Sequence, residues 1–239
     1  MIEKSKSLEK LYYEYTHLPV GGKKVKCPYW ANQATSLTFG PYGGKGLPEE
    51  VTKATEEAAK RERINLAKLT AEEIREFMEN QRIGIDCSGF VFRLLDALDK
   101  EKGGEGIGNK VYGVKGYGVR KVNAYCLTNK RNSTEVKMVR EVRLGDLLRM
   151  HGGKHIMLVL RIKEDRKGEI KEIIYAHSSC NSRITGVHSS FFKVKNLKGG
   201  LEEQEWVEKA KSGENFFQKY FYLNKGDGLR RLRVWKVKK

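Results

Sequence analysis

The sequence predicts an α+β fold in which helices come first and an antiparallel sheet follows. Through residues 4–102, apolar side chains recur mostly at helical intervals. From about Glu135 onwards they occur instead in short runs bounded by turn residues, a pattern typical of strands. Helices followed by a meander of strands are typical of α+β domains. A length of 239 residues, without an internal repeat or a low-complexity linker, favours one domain over 1–239.

The first half of the chain is predicted to hold four helices. Apolar residues at helical spacing mark the first, which ends before Gly21-Gly22. Pro48 opens the second, and Thr70-Ala-Glu-Glu is a capping-box start for the third. Residues 23–30 look extended, and 31–47 look like a loop. The four helices are expected at 4–17, 48–63, 70–81 and 86–102.

The fourth helix carries the residue on which the functional prediction depends. It begins at Asp86-Cys87-Ser88, and we interpret Asp86 as a helix cap and not as a proton carrier. Cys87 then lies in the first turn of a helix with one buried face. There the free N–H groups and the helix dipole favour a thiolate, which is the nucleophilic form of cysteine. An ordinary buried cysteine at a helix start fits the same pattern.

The second half is predicted to be a series of strands. Before it, residues 103–120 contain seven glycines, which predicts a flexible surface excursion near the site. Neither a GxxxxGK[ST] motif nor a GxGxxG motif between a strand and a helix occurs there, which excludes a phosphate-cradling loop. Residues 142–150 are expected to form a turn followed by a short strand. Further strands are expected at 155–162, 169–177, 183–194 and 229–237, with a further helix at 201–211 around Trp206.

Strand pairing brings two histidines together in this scheme. His155 begins an apolar strand, and His177 ends the next one, after the 163–168 turn. In an antiparallel pair the start of one strand lies beside the end of the other, so the two side chains are expected to be neighbours. A cysteine, a histidine base and a polar group that orients the base are the parts of nucleophilic acyl transfer. His151, four residues before His155, is an alternative base.

Four short motifs occur in order around these residues. They are Asp-Cys-Ser-Gly-Phe-Val at 86–91, Leu-Gly-Asp-Leu at 144–147, the histidine before an apolar strand at 155, and Tyr-Ala-His-Ser at 175–178. Together they resemble the NlpC-type cell-wall cysteine peptidases, which are bacterial papain-like enzymes. The resemblance covers about residues 20–195.

The resemblance implies a papain-like fold, with the cysteine helix packed on the antiparallel sheet that carries the histidines. It implies a Cys-His-His triad of Cys87, His155 and His177. The family also has a tyrosine near the oxyanion site, in a Pro-Tyr-x-Trp-Gly-Gly stretch. Tyr29, in Pro-Tyr-Trp at 28–30, is the nearest match, and Tyr42, in Pro-Tyr-Gly-Gly at 41–44, is its rival because it carries the glycines.

The resemblance also implies an activity. Family members typically cut the bond after D-glutamate in peptidoglycan stem peptides, so the chain is expected to be a cysteine peptidase or amidase with a stem peptide as its substrate. An acyl acceptor other than water would make the same site an acyltransferase or a transpeptidase. The chain departs from the family in a helical insertion at about 48–83, in longer segments at 103–134 and 163–168, and in a basic C-terminal extension at about 196–239. These segments are expected to reshape the rims of the cleft.

Charge suggests a different class of partner. Residues 1–120 hold 20 basic and 17 acidic side chains, whereas residues 121–239 hold 27 and 13, so most of the net charge of +17 lies in the second half. Such a basic surface suits an anionic cell-wall polymer, and a non-catalytic module that binds one is the alternative function. A nucleic-acid partner is disfavoured because no known reader motif occurs.

No cofactor, metal or membrane span is expected. The cysteines at 27, 87, 126 and 180 form no CxxC pair and are interpreted as reduced thiols. His177, Cys180 and His188 have metal-like spacing, but the sequence offers no evident fourth ligand and no HExxH motif, so we predict no metal site. The start of the chain is charged and no run of 18 apolar residues occurs, so neither a secretory signal nor a spanning helix is expected in it.

Overall fold

Helices precede an antiparallel sheet along the chain, and the α+β prediction is confirmed. The computed structural model describes residues 2–31, 41–115 and 118–235. Within these residues the α-helices are α1 (Lys6–Thr16), α2 (Pro48–Arg61), α3 (Ala71–Asn80), α4 (Cys87–Glu101), α5 (Ala124–Thr128) and α6 (Phe216–Tyr220). The four predicted helices of the first half therefore all form.

The strands make one large sheet and one small one. They are β1 (Ile2–Lys4), β2 (Leu18–Val20), β3 (Lys23–Val25), β4 (Ser133–Val136), β5 (Leu147–Met150), β6 (His155–Glu164), β7 (Ile170–Ser179), β8 (Gly186–Lys193), β9 (Glu205–Trp206) and β10 (Gly228–Leu232). The large sheet is antiparallel, in the order β4-β10-β5-β6-β7-β8-β9, and β1 also pairs with β6. Strands β2 and β3 form the small sheet.

The large sheet separates two buried apolar clusters. Alternate side chains of a strand point to opposite faces, and β6 divides its residues in this way. Leu158 and Leu160 join a cluster with α1 and α4, whereas Met157 and Val159 join a cluster with Trp206 and α6. The helix that begins at Cys87 therefore packs on one face of the central strands, and an aromatic layer covers the other face.

The predicted helix at 201–211 is wrong. The segment forms a short 3-10 turn at Leu201–Glu203 and then strand β9. Trp206 pairs with Phe192 of β8, and its indole N–H donates to the Leu201 carbonyl at 2.9 Å. The segment is rich in helix-forming residues, but pairing at the sheet edge and stacking of Trp206 on Phe217 outweigh that local preference.

The described part of residues 103–120 is also different from the flexible excursion that its glycines predicted. Ile107, Val111 and Val114 are buried in the cluster that contains α4. Backbone N–H groups of this segment donate to the carboxylates of Asp96 and Asp99 on α4. Buried apolar anchors and these bonds hold the segment against the helix.

The C-terminal part of the chain enters the sheet beside its edge strand β4. β10 lies between β4 and β5, and it covers the first part of the strand predicted at 229–237. A 3-10 turn at Arg233–Trp235 follows it, and 236–239 lie outside the described residues. Among the helices of the described residues, none combines the length and apolar character needed to cross a bilayer.

Candidate active site

Cys87 is the first residue of α4, and the preceding residue caps the helix. The Asp86 carboxylate accepts a hydrogen bond from the Gly89 N–H at 2.6 Å, so Asp86 acts as the cap that the sequence suggested. Only 7% of the Cys87 surface is exposed. The sulfur is therefore held in a fixed, largely dry position at the helix start.

A buried lysine that sequence analysis did not single out contacts the same helix start. Lys45 donates to the Asp86 carboxylate and, at 2.9 Å, to the Ser88 hydroxyl. The preceding Gly44 has a φ of +83°, and a Cβ there would lie 2.4 Å from the Trp30 carbonyl oxygen. Gly44 thus lets the loop pass close enough for Lys45 to reach the helix. The sequence around Lys45, a single lysine between two glycines, does not predict this contact.

Burial changes the chemistry that was expected of the thiol. Desolvation, followed by the Asp86 charge, raises the pKa of Cys87 to about 12. The backbone N–H of Ile156, Lys45 and the backbone N–H of Ser88 act in the opposite direction, but they do not outweigh burial. The resting group is therefore a thiol, whereas the position at a helix start had suggested a thiolate.

The two predicted histidines are direct neighbours. β6 and β7 pair antiparallel with Leu158 opposite Ala176, which brings the start of β6 beside the end of β7. His155 Nε2 and His177 Nδ1 lie 2.8 Å apart, and both side chains are buried. Burial lowers the pKa of both imidazoles, and the neighbouring His177 lowers that of His155 further. Both rings are therefore neutral at rest.

The strand that carries His155 reaches Cys87 through the next residue. Ile156 lies in the same buried cluster as Cys87, and its backbone N–H acts to lower the pKa of the thiol. The His155 ring packs instead beside Phe216, at 6.0 Å between ring centroids, in the layer on the other face of the sheet. Among the described residues no hydrogen bond joins the side chains of Cys87 and His155.

The histidine pair continues into a third histidine and a carboxylate. His177 Nε2 lies 3.0 Å from His188 Nε2 and 3.1 Å from Glu208 Oε1, and His188 Nε2 lies 3.2 Å from the same oxygen. Although burial raises the pKa of Glu208, the two histidines hold it well below its usual value. Glu208 is therefore an ionised carboxylate at the end of a buried chain of imidazoles.

Sequence analysis did not single out Glu208, which lies within the helix that was wrongly predicted at 201–211. In the extended conformation that the segment adopts, residues two apart share a face, and Glu208 lies on the same side as Trp206. It then reaches Tyr175, whose hydroxyl donates to Glu208 Oε2 at 2.6 Å. Interpreting residues 204–208 as an extended segment with alternating faces would have identified Glu208.

Tyr29 lies near Cys87. It forms an isolated parallel bridge with Ile85, just before the cysteine helix. Burial raises the pKa of its hydroxyl, and the nearby Cys87 and Cys180 raise it further. The side chain of its rival, Tyr42, lies outside the described residues. Only Tyr29 can therefore be placed at the site.

The remaining candidates lie apart from the buried network. The His151 ring contacts Tyr220 and Tyr222, with ring centroids 5.1 and 5.7 Å away. Cys180 is exposed and is not among the side chains that surround His177 and His188. Its contact is Tyr29, not a metal-like cluster.

Comparison of the chain with known protein families, curated proteins and solved structures finds no match in any of the three. The geometry above is therefore the basis for any assignment of function.

Proposed function

We propose that the protein is a papain-like cysteine peptidase or amidase in which Cys87 is the nucleophile and His155 is the base. The observation that carries this proposal is the buried His155–His177 pair, which begins one residue before Ile156, a member of the same buried cluster as Cys87. His177 is a positioning residue. By resemblance of the motifs, the substrate class is a peptidoglycan stem peptide.

The proposed reaction starts from a neutral thiol and a neutral imidazole. His155 Nε2 faces His177, so Nδ1 is the ring nitrogen left to accept the Cys87 proton. As the proton leaves, the sulfur attacks the carbonyl carbon and a tetrahedral intermediate forms. His155 then gives the proton to the leaving amine as the C–N bond breaks. Water attacks the thioester in a second step and restores the thiol.

Two groups are proposed to stabilise the oxyanion. They are the backbone N–H of Cys87, in the first turn of α4, and the Tyr29 hydroxyl, which lies near Cys87. The missing bond between Cys87 and His155 is compatible with this scheme, because catalytic hydrogen bonds are often long in a free enzyme and tighten when substrate binds.

The test is hydrolysis of purified stem peptides, followed by mass spectrometry. We expect cleavage with one new amine per bond cut, no cleavage by Cys87→Ala, and a loss of about 10²–10⁴-fold in His155→Ala. Cys126→Ala is the matched control, since Cys126 also lies in the first turn of a helix. Equal activity in Cys87→Ala and Cys126→Ala would disprove the assignment of the nucleophile.

A second candidate function is binding of an anionic polymer, and one cavity favours it. A pocket of about 610 Å³ is lined by five cationic side chains, and no carboxylate is among its lining residues. The Arg131 guanidinium lies over the Tyr112 ring, at 4.5 Å from its centroid, and Arg149 is oriented by Thr128. The five cationic residues are Lys130, Arg131, Arg149, Lys225 and Arg230.

This candidate predicts salt-sensitive binding of a polyphosphate such as teichoic acid. Screening weakens attraction between exposed charges as ionic strength rises. Arg131→Ala is expected to reduce binding, whereas Lys53→Ala, an exposed lysine on α2, is expected to leave it unchanged. Binding that ignores both salt and Arg131→Ala would rule this candidate out.

A further inference from the structure

Three lone-pair atoms meet at one point in the buried network. His177 Nε2, His188 Nε2 and Glu208 Oε1 form a triangle with edges of 3.0, 3.1 and 3.2 Å. All three residues are buried, with exposures of 0%, 5% and 7%. Such a compact, buried set of two imidazoles and a carboxylate offers the ligand atoms of a metal site.

Hydrogen bonds give one account of this triangle. A single proton on His177 Nε2 can be shared between His188 Nε2 and Glu208 Oε1, and the Ser182 hydroxyl also donates to Glu208 Oε1, at 2.6 Å. A cation at the centre gives another account, because it attracts all three atoms to one point.

The outward-facing atoms of the same residues are already bonded. His188 Nδ1 lies 2.9 Å from the Gly186 carbonyl oxygen, and His177 Nδ1 lies 2.8 Å from His155 Nε2. The other Glu208 oxygen accepts from the Tyr175 hydroxyl. Metal-bound histidines and carboxylates are typically held by such outer hydrogen bonds, which fix the tautomer and aim the free lone pair at the ion.

The dimensions and the atom types select the class of ion. A tetrahedral zinc ion with ligands at about 2.0–2.1 Å separates its ligand atoms by about 3.3–3.4 Å, close to the observed edges. Imidazole nitrogen suits zinc and its neighbours in the transition series better than magnesium or calcium, which prefer oxygen. We propose that His177, His188 and Glu208 form a binding site for one divalent transition-metal ion of the zinc class.

The site also regulates Cys87, and this step rests on the proposed function. A metal on His177 Nε2 leaves the ring's one proton on Nδ1, which then donates to His155 Nε2. A neutral His155 must in turn carry its proton on Nδ1, so the nitrogen that would accept the Cys87 proton is blocked. Metal binding therefore inhibits the thiol reaction, and metal removal restores it.

Binding is tested with Co²⁺ added to the full-length protein after treatment with EDTA. We expect one ion per chain and the visible absorption of a tetrahedral nitrogen and oxygen site, with Zn²⁺ displacing Co²⁺. His188→Ala is expected to weaken binding by at least about 10–100-fold. Glu208→Gln, which keeps the side-chain shape, is expected to do the same, and it serves if His188→Ala unfolds. His17→Ala, a histidine that stacks on Tyr13, is the matched control and should bind normally.

Inhibition is tested by stem-peptide hydrolysis with and without Zn²⁺ in the wild type and in His188→Ala. We expect Zn²⁺ to inhibit the wild type at a concentration at least about 10-fold lower than the concentration that inhibits His188→Ala. A metal that bound Cys87 directly would instead inhibit the two proteins equally. Binding that is absent, or unchanged in both His188→Ala and Glu208→Gln, would overturn the site. Equal inhibition of the two proteins would overturn the regulation. If the peptidase proposal itself fails, hydrolysis is absent while the Co²⁺ spectrum remains.

Discussion

The cysteine side and the histidine side of the candidate site differ in how their buried charges are stabilised. On the cysteine side, Asp86 and Lys45 form a buried ion pair at the start of α4, and the thiol beside it stays protonated. On the histidine side, a chain of imidazoles leads to the single carboxylate of Glu208. The cysteine side thus contains a buried pair of opposite charges. The histidine side contains one buried negative charge, which contacts two imidazole rings.

This difference shows where reactivity has to come from. Burial raises the pKa of the thiol and lowers the pKa of the imidazole, so both reactive groups are neutral at rest. Neither side creates a charged nucleophile by itself. In the proposed reaction the proton therefore has to move from Cys87 to His155 when a substrate is bound, which would be general-base catalysis and not the work of a preformed ion pair.

The largest effect is expected when the ion pair on the cysteine side is broken. Lys45→Met leaves the Asp86 charge buried without its partner, so we expect a loss of about 3–5 kcal/mol in the free energy of unfolding. Urea denaturation measures it. Asp86→Asn in the same background removes the unpaired charge and keeps a good helix cap, so it should restore part of the stability. A Lys45→Met protein as stable as the wild type would contradict a buried ion pair.

A smaller effect is expected when the histidine side loses its positioning residue. His177→Ala is predicted to lower kcat by about 10²-fold with little change in KM, because His177 holds His155 and does not touch the substrate. Steady-state kinetics on a stem peptide separates the two constants. A rise in KM with kcat unchanged would place His177 in substrate binding instead. His17→Ala should change neither constant.

The smallest effect is expected in a test that changes no residue and measures whether the Cys87 thiol is neutral at rest. Because its pKa is raised to about 12, Cys87 should still gain reactivity towards iodoacetamide as the pH rises above 9, whereas an ordinary thiol levels off there. Mass spectrometry of Cys87 against pH gives its profile, and a free cysteine peptide treated in parallel gives the profile of an ordinary thiol. Rapid alkylation of Cys87 at neutral pH that disappears in His155→Ala would instead reveal a thiolate–imidazolium pair.

Local patterns predicted the fold and the pairing of His155 with His177. Apolar spacing found the helices of the first half, and antiparallel pairing of two long strands fixed which residues are neighbours. Lys45 and Glu208 could not be found in this way, because each reaches the site from a distant loop or edge strand. Helix propensity at 201–211 even pointed away from Glu208, since pairing with β8 decides that segment.

The place of β10 in the sheet has a consequence for the synthesis of the protein. Its residues 228–232 pair with β5, which in turn pairs with the start of β6 at His155. The sheet around the candidate base is therefore incomplete until residues 228–232 have left the ribosome. Contacts between segments so far apart in sequence slow folding. A nascent chain would thus carry Cys87 in a helix long before it carries a finished histidine network, and the protein is expected to stay inactive until translation has passed β10.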